Sequence, residues 1–96
     1  MQITCKVVTV FPSVEKTITG RMGSEELTIK PMVLKRGADT IYCEAFGQEA
    51  RRLDKEQLDE ETTYVASLRL DSSERKADDG RVFRNTRVTL VNLNEL

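Results

Sequence analysis

TIYCEAFGQEARRL, residues 40–53, changes its period part-way through. Up to Phe46 it alternates: Ile41, Cys43 and Ala45 are apolar and small, while Thr40, Tyr42, Glu44 and Phe46 mix polar with aromatic. Period two sends these sets to opposite faces of a strand. After Gly47 the spacing becomes helical, with Ala50, Leu53 and then Leu58 on one side of a helix expected over residues 48–58. The rest of that segment is solvated and acidic. From Glu49 to Glu61, three basic residues (Arg51, Arg52, Lys55) stand against six acidic ones (Glu49, Asp54, Glu56, Asp59, Glu60, Glu61).

Upstream, residues 3–11 alternate with Ile3, Cys5 and Val7 on one face, until Val7-Val8 breaks the phase and Val8 and Val10 continue it, which predicts a strand with a bulge. Pro12 and the polar run to about residue 25, with Gly20 and Gly23 as breakers, predict a loop or loose hairpin. Leu27, Ile29, Met32 and Leu34 mark a second strand, in which Pro31 calls for an edge position or a second bulge. Arg36-Gly37-Ala38-Asp39 is the turn into residues 40–46. Downstream, a fourth strand over 62–70 places Tyr64, Ala66, Leu68 and Leu70 on one face, and a fifth covers 81–93. Between them Asp71–Gly80 is charged and ends in Asp-Gly, as an exposed, mobile hairpin tip does.

Five strands with one short helix between the third and fourth define the expected class: all-β, a five-stranded Greek-key OB-fold barrel, in one domain over residues 1–96. The strand-to-helix stretch, with its Phe46-Gly47-Gln48-Glu49-Ala50 core, resembles the corresponding element of bacterial and phage single-stranded DNA-binding proteins. Residues 65–96 resemble the same family's fourth strand, charged β4–β5 loop and long last strand. Family members usually carry an acidic recruiting tail, whereas the chain ends at Asn92-Leu93-Asn94-Glu95-Leu96, so recruitment through such a tail is not expected. Thr40 stands where well-studied members have tryptophan, which implies weaker base stacking.

Composition narrows the chemistry. The 96 residues include no histidine, so Ser–His and Cys–His nucleophile pairs are excluded. Cys5 and Cys43 form no CxxC motif and read as buried thiols of a reducing compartment. The carboxylate clusters Asp59-Glu60-Glu61 and Asp78-Asp79 lack the alternation of a calcium loop, and no phosphate-cradling glycine run or GxSxG elbow occurs. No metal, cofactor, small-molecule substrate or catalytic step is expected. Lys6 interrupts the apolar amino terminus and no apolar run approaches membrane-spanning length, so a cytoplasmic protein without membrane attachment is expected. Fifteen Lys and Arg against sixteen Asp and Glu give a net charge of −1, so attraction to phosphate has to be local.

Binding single strands without sequence preference takes aromatic platforms beside a basic track. On the last strand Phe83 stands between Arg81 and Arg87 on a largely polar face, while Arg84 interrupts the apolar face. This strand holds three arginines and no acid up to Leu93. Phe46 and Tyr42 share the outer face of the third strand by parity. Arg75 and Lys76 fall in the β4–β5 loop, and Lys35 and Arg36 at the turn before the third strand. Each has a plainer role available: Phe83 under a loop or at a dimer contact, Phe46 against the helix, the loop and turn cations as surface charge. Tyr64 belongs to the core by its face, and Phe11 reads as a staple at the barrel end.

The expected function is non-sequence-specific binding of single-stranded DNA in replication, recombination or repair. Stacking falls to Phe46 and Phe83, and phosphate contacts to Arg81, Arg84 and Arg87. The alternative is an OB-fold protein–protein interaction module without nucleic acid. Exposed strand edges and an apolar first strand add the expectation of a homo-oligomer, dimer or tetramer.

Overall fold

In the computed structural model, which describes residues 1–96, the chain forms β1 (Gln2–Val10), β2 (Val14–Gly20), β3 (Gly23–Arg36), β4 (Asp39–Phe46), α1 (Gly47–Asp54), β5 (Tyr64–Lys76) and β6 (Val82–Glu95). All strands join one sheet in the order β1-β5-β6-β4-β3-β2, and β1 pairs a second time, with β3. That pairing links β1, β5, β6, β4 and β3 into a ring and leaves β2 as an outer edge. Neighbours are antiparallel except β4 and β6, which meet in parallel at Glu44 and Thr89. The mostly-β class and the helix position agree with the sequence, but six strands form instead of five.

The sixth is β2, within the stretch expected to be a loop or loose hairpin. Val14 to Gly20 pair in full register with β3 around a two-residue link, Arg21-Met22. The breakers Gly20 and Gly23 are the two sides of this hairpin tip, and Gly23 takes a φ of 116° that L residues avoid. No residue of β2 is buried, so no core pattern marked it as a strand.

In β3 the inward residues are Thr28, Lys30, Met32 and Leu34, an unbroken even phase. Of the two roles open to Pro31, the second bulge does not form, and Leu27 and Ile29 are only half-buried on the outer side. Pro31 sits where β3 passes from pairing with β2 to pairing with β1, so its missing N–H leaves no ladder bond unmade. Thr28 and Lys30 are tolerated inside because each is bonded: Thr28 Oγ1 donates to Glu15 at 2.8 Å, and Lys30 Nζ donates to Asp54 at 2.6 Å and to the Phe11 carbonyl at 3.0 Å.

The core joins Ile3, Cys5 and Val7 of β1 to Met32 and Leu34, Cys43 and Ala45, Tyr64, Ala66 and Leu68, and Leu90 and Leu93. Ala50 and Leu53 of α1 complete it, and Leu58 packs against it from beyond the helix end. The helix is shorter than expected, stopping at Asp54. Arg52 fastens α1 to β6 by donating to the Leu93 carbonyl at 2.6 Å, while Glu49, its ion-pair partner, accepts from the Leu93 N–H at 3.3 Å.

Bulges set the remaining phases. One falls between Val7 and Thr9 of β1, where the sequence placed it, yet Val8 and Val10 stay exposed instead of continuing the core face. Another, at Val91 of β6 opposite the Ser67–Leu68 step of β5, shifts the phase of β6 so that Leu93 enters the core. The segment 71–80 is corrected more strongly. Strand β5 runs to Lys76, so Arg75 and Lys76 are paired strand residues and only residues 77–81 form the turn. The β5–β6 and β2–β3 ribbons extend the molecule to 47 × 35 × 20 Å with a radius of gyration of 15.6 Å, against about 12.5 Å for a compact chain of this length. No helix is long and apolar enough to cross a membrane.

Candidate functional site

Alternation along β4 turns Tyr42 and Glu44 outward, and the β3–β4 register sets Val33 beside Tyr42 and Pro31 beside Glu44. The parallel contact of Glu44 with Thr89 brings the same face of β6 alongside, carrying Phe83, Asn85 and Arg87. Above this floor runs a groove of about 340 Å³ lined by Phe11, Pro31, Tyr42, Glu44 and residues 85–88. Tyr42 is 74% exposed, so its ring is presented to solvent and not spent on the core.

Phe11 was the residue missed. It reads from sequence as an end staple, but it lies at the foot of the β2–β3 ribbon, and its N–H donates to the Pro31 carbonyl at 3.2 Å. Its own carbonyl accepts from Lys30, and Ser13 Oγ donates to Asp54 at 2.6 Å. The Phe11-Pro12-Ser13 corner is thus tied to β3 and α1 through one buried lysine and one carboxylate. Those bonds, led by the one from Lys30, hold the Asp54 carboxyl below the usual carboxylate range.

Farther out, cross-strand pairing sets Arg75 opposite Phe83. The guanidinium carbons of Arg75 and Arg81 lie 5.4 and 5.8 Å from the ring centre, a cation–aromatic cluster on the groove's side of the ribbon. Arg81 also pairs with Asp79 at 2.5 Å. Arg87, opposite Asp71, holds no ion pair and lines the groove.

The other expected contacts separate from this face. Arg84 and Lys76 project from the opposite side of the ribbon, because their register partners are Glu74 and Val82, and Arg84 is engaged by Glu74 at 3.5 Å. Grouping Arg84 with Arg81 and Arg87 is therefore corrected by strand parity. Phe46 is half-buried at the start of α1, opposite Ile29, and does not line the groove. Lys35 and Arg36 line a different cleft with Lys6.

Cys5 and Cys43 are free and buried. Burial above all, helped by neighbouring Cys5 and Glu44, pushes the Cys43 thiol up to about 12, and burial raises Cys5 too. Both thiols are thereby held in the protonated form at neutral pH. No group of His, Cys, Asp and Glu side chains is arranged to hold a metal ion. The chain matches no protein-family model, and no curated protein matches it. The functional reading therefore rests on the groove's own chemistry.

Proposed function

We propose that the ring is an OB-fold barrel, elaborated by the β2–β3 ribbon, that binds single-stranded DNA without sequence preference. The order β1-β3-β4-β6-β5, the parallel β4–β6 contact and the helix between β4 and β5 support the fold reading. In such a barrel oligonucleotides lie across the central strands between two long connections, here the two ribbons. The observation that carries the function is the alignment on one face of Tyr42 and Phe11 at the groove, unpaired Arg87 beside them, and Phe83 with Arg75 and Arg81 along the ribbon. Bases would stack on the rings while the guanidiniums follow the phosphates, with no bond made or broken.

Fluorescence anisotropy of labelled oligo-dT, titrated with protein at rising salt, tests this. The expected result is binding that weakens along a log–log line with a slope of a few phosphates. Tyr42→Ala and Phe83→Ala should each weaken binding by roughly 5- to 150-fold, the range of one stacking contact. Absence of binding at low salt would sink the proposal.

Glu44 in the groove and Asp71 opposite Arg87 favour a second reading, an OB-type module that binds protein instead. Arg81→Glu combined with Arg87→Glu separates the two: oligonucleotide binding should vanish, whereas a mainly apolar protein contact should survive. We also propose a homo-oligomer, supported by the open β2 edge and by exposed Val8, Val10, Val14 and Ile18. Sedimentation should then give a mass above the 10.9 kDa of one chain, and a monomer mass at all concentrations would reject it.

A further inference from the structure

We propose a second, separate site: a cleft for a phosphate oxyanion between β1 and the β3–β4 turn. It has a volume of about 380 Å³ and is lined by Thr4, Cys5, Lys6, Lys35, Arg36, Gly37 and Thr63, with no carboxylate. That volume lies within the range of small-ligand pockets.

Its charge arrangement is unfavourable unless an anion is present. Lys6 and Lys35 are direct partners in the β1–β3 ladder, which holds their Cβ atoms about 5 Å apart, and like charges so placed repel. Arg36 adds a third positive charge. Asp39, opposite Arg36 in the β3–β4 ladder, makes no ion pair with it, and none of the three cations is paired with any acid of the chain. A dianion seated between them would relieve the repulsion and take charge-assisted hydrogen bonds from two ammonium groups and one guanidinium. The hydroxyls of Thr4 and half-buried Thr63 supply neutral donors on the β1 side. Gly37, at a φ of 58° with no heavy atom near the position of a Cβ, leaves the turn side open to the ligand.

The shared chemistry is a phosphate group, carried either by a free small molecule or by a nucleic-acid backbone. The test is an NMR titration of amide resonances with inorganic phosphate, matched in ionic strength by sodium chloride. Saturable shifts at Thr4, Lys6, Lys35, Arg36, Gly37 and Thr63, absent in the chloride series, are expected. Lys6→Gln with Lys35→Gln should weaken phosphate at least ten-fold, the loss of two hydrogen bonds to charged groups. In phosphate-free buffer the same exposed substitutions should raise the melting temperature, because they remove the repulsion, and added phosphate should stabilise only the unsubstituted protein. Shifts that follow ionic strength alone, or that persist in the double variant, would overturn the site. Oligo-dT anisotropy then separates the sources. Weaker oligonucleotide binding by the double variant identifies a strand backbone as the occupant, and unchanged oligonucleotide binding with lost phosphate binding identifies a free phosphate compound. The phosphate arm uses no oligonucleotide, so the site stands or falls separately from single-strand binding.

Discussion

Asp54 carries more of the candidate groove than any residue that lines it. It accepts from Lys30 and from Ser13, and Lys30 in turn holds the Phe11 carbonyl. Asp54→Asn should cost about 1 kcal/mol near neutral pH, below the usual range for bonds to a charged group because the carboxylate is partly exposed and screened. Its folded-state value is lowered, so this stabilisation is fully present above the unfolded value near 3.8 and fades as pH falls through the lower folded value. Urea denaturation at pH 7 and below pH 3 should therefore show the gap between the two proteins closing in acid. Gly47 is the other single-residue requirement. Its φ of 59° turns the chain from β4 into α1, and Gly47→Ala should cost about 1–2 kcal/mol although a Cβ there meets no neighbour. Equal stability of the alanine variant would show that the backbone relaxes at this corner.

The ribbons and the helix divide binding from stability. Phe83 sits on β6 beyond the packed core, so Phe83→Ala should change unfolding free energy by no more than about 0.5 kcal/mol while weakening oligonucleotide binding. Leu53, 1% exposed on α1, behaves oppositely. Leu53→Ala should cost about 2–5 kcal/mol by leaving a cavity. Measuring both variants by denaturation and by anisotropy checks the division, and a Phe83→Ala variant that unfolds easily would return Phe83 to a structural role. Among elements, β4 and its passage into a helix were fully legible, since a one-sided core pattern needs only local alternation. Strand β2 was not, because all its residues face solvent and its identity comes from pairing with β3.

For the molecule as a whole, the thiols give a direct check on the packed ring. Cys5 and Cys43 lie inside the core with raised pKa values. Neither should react with a thiol reagent at pH 7 until the protein is unfolded, whereupon both should titrate. Prompt reaction of one thiol in the native protein would mean that the ring opens at the strand that carries it, β1 for Cys5 or β4 for Cys43. The near-neutral total charge conceals a local imbalance, with Lys6, Lys35 and Arg36 at one cleft and Arg75, Arg81 and Arg87 on another face. Such segregation depends on which strands meet, and no sum over the chain contains it.

By itself the sequence determined the mostly-β class, the position of the helix and most of the core, because Ile3, Cys5, Val7, Cys43, Ala45, Tyr64, Ala66 and Leu68 obey a period of two that any strand imposes. It also determined the outward aim of Tyr42 and the shared strand face of Arg81, Phe83 and Arg87. Only the tertiary structure decided that Phe11 reaches the groove, that Thr28 and Lys30 point inward, that Arg84 is engaged by Glu74, and that Lys6 faces Lys35. Each of these depends on register between strands or on the bulges that reset it. Register is a property of long-range pairing, in which a one-residue slip reverses every side chain, and local alternation carries no record of which partner lies alongside.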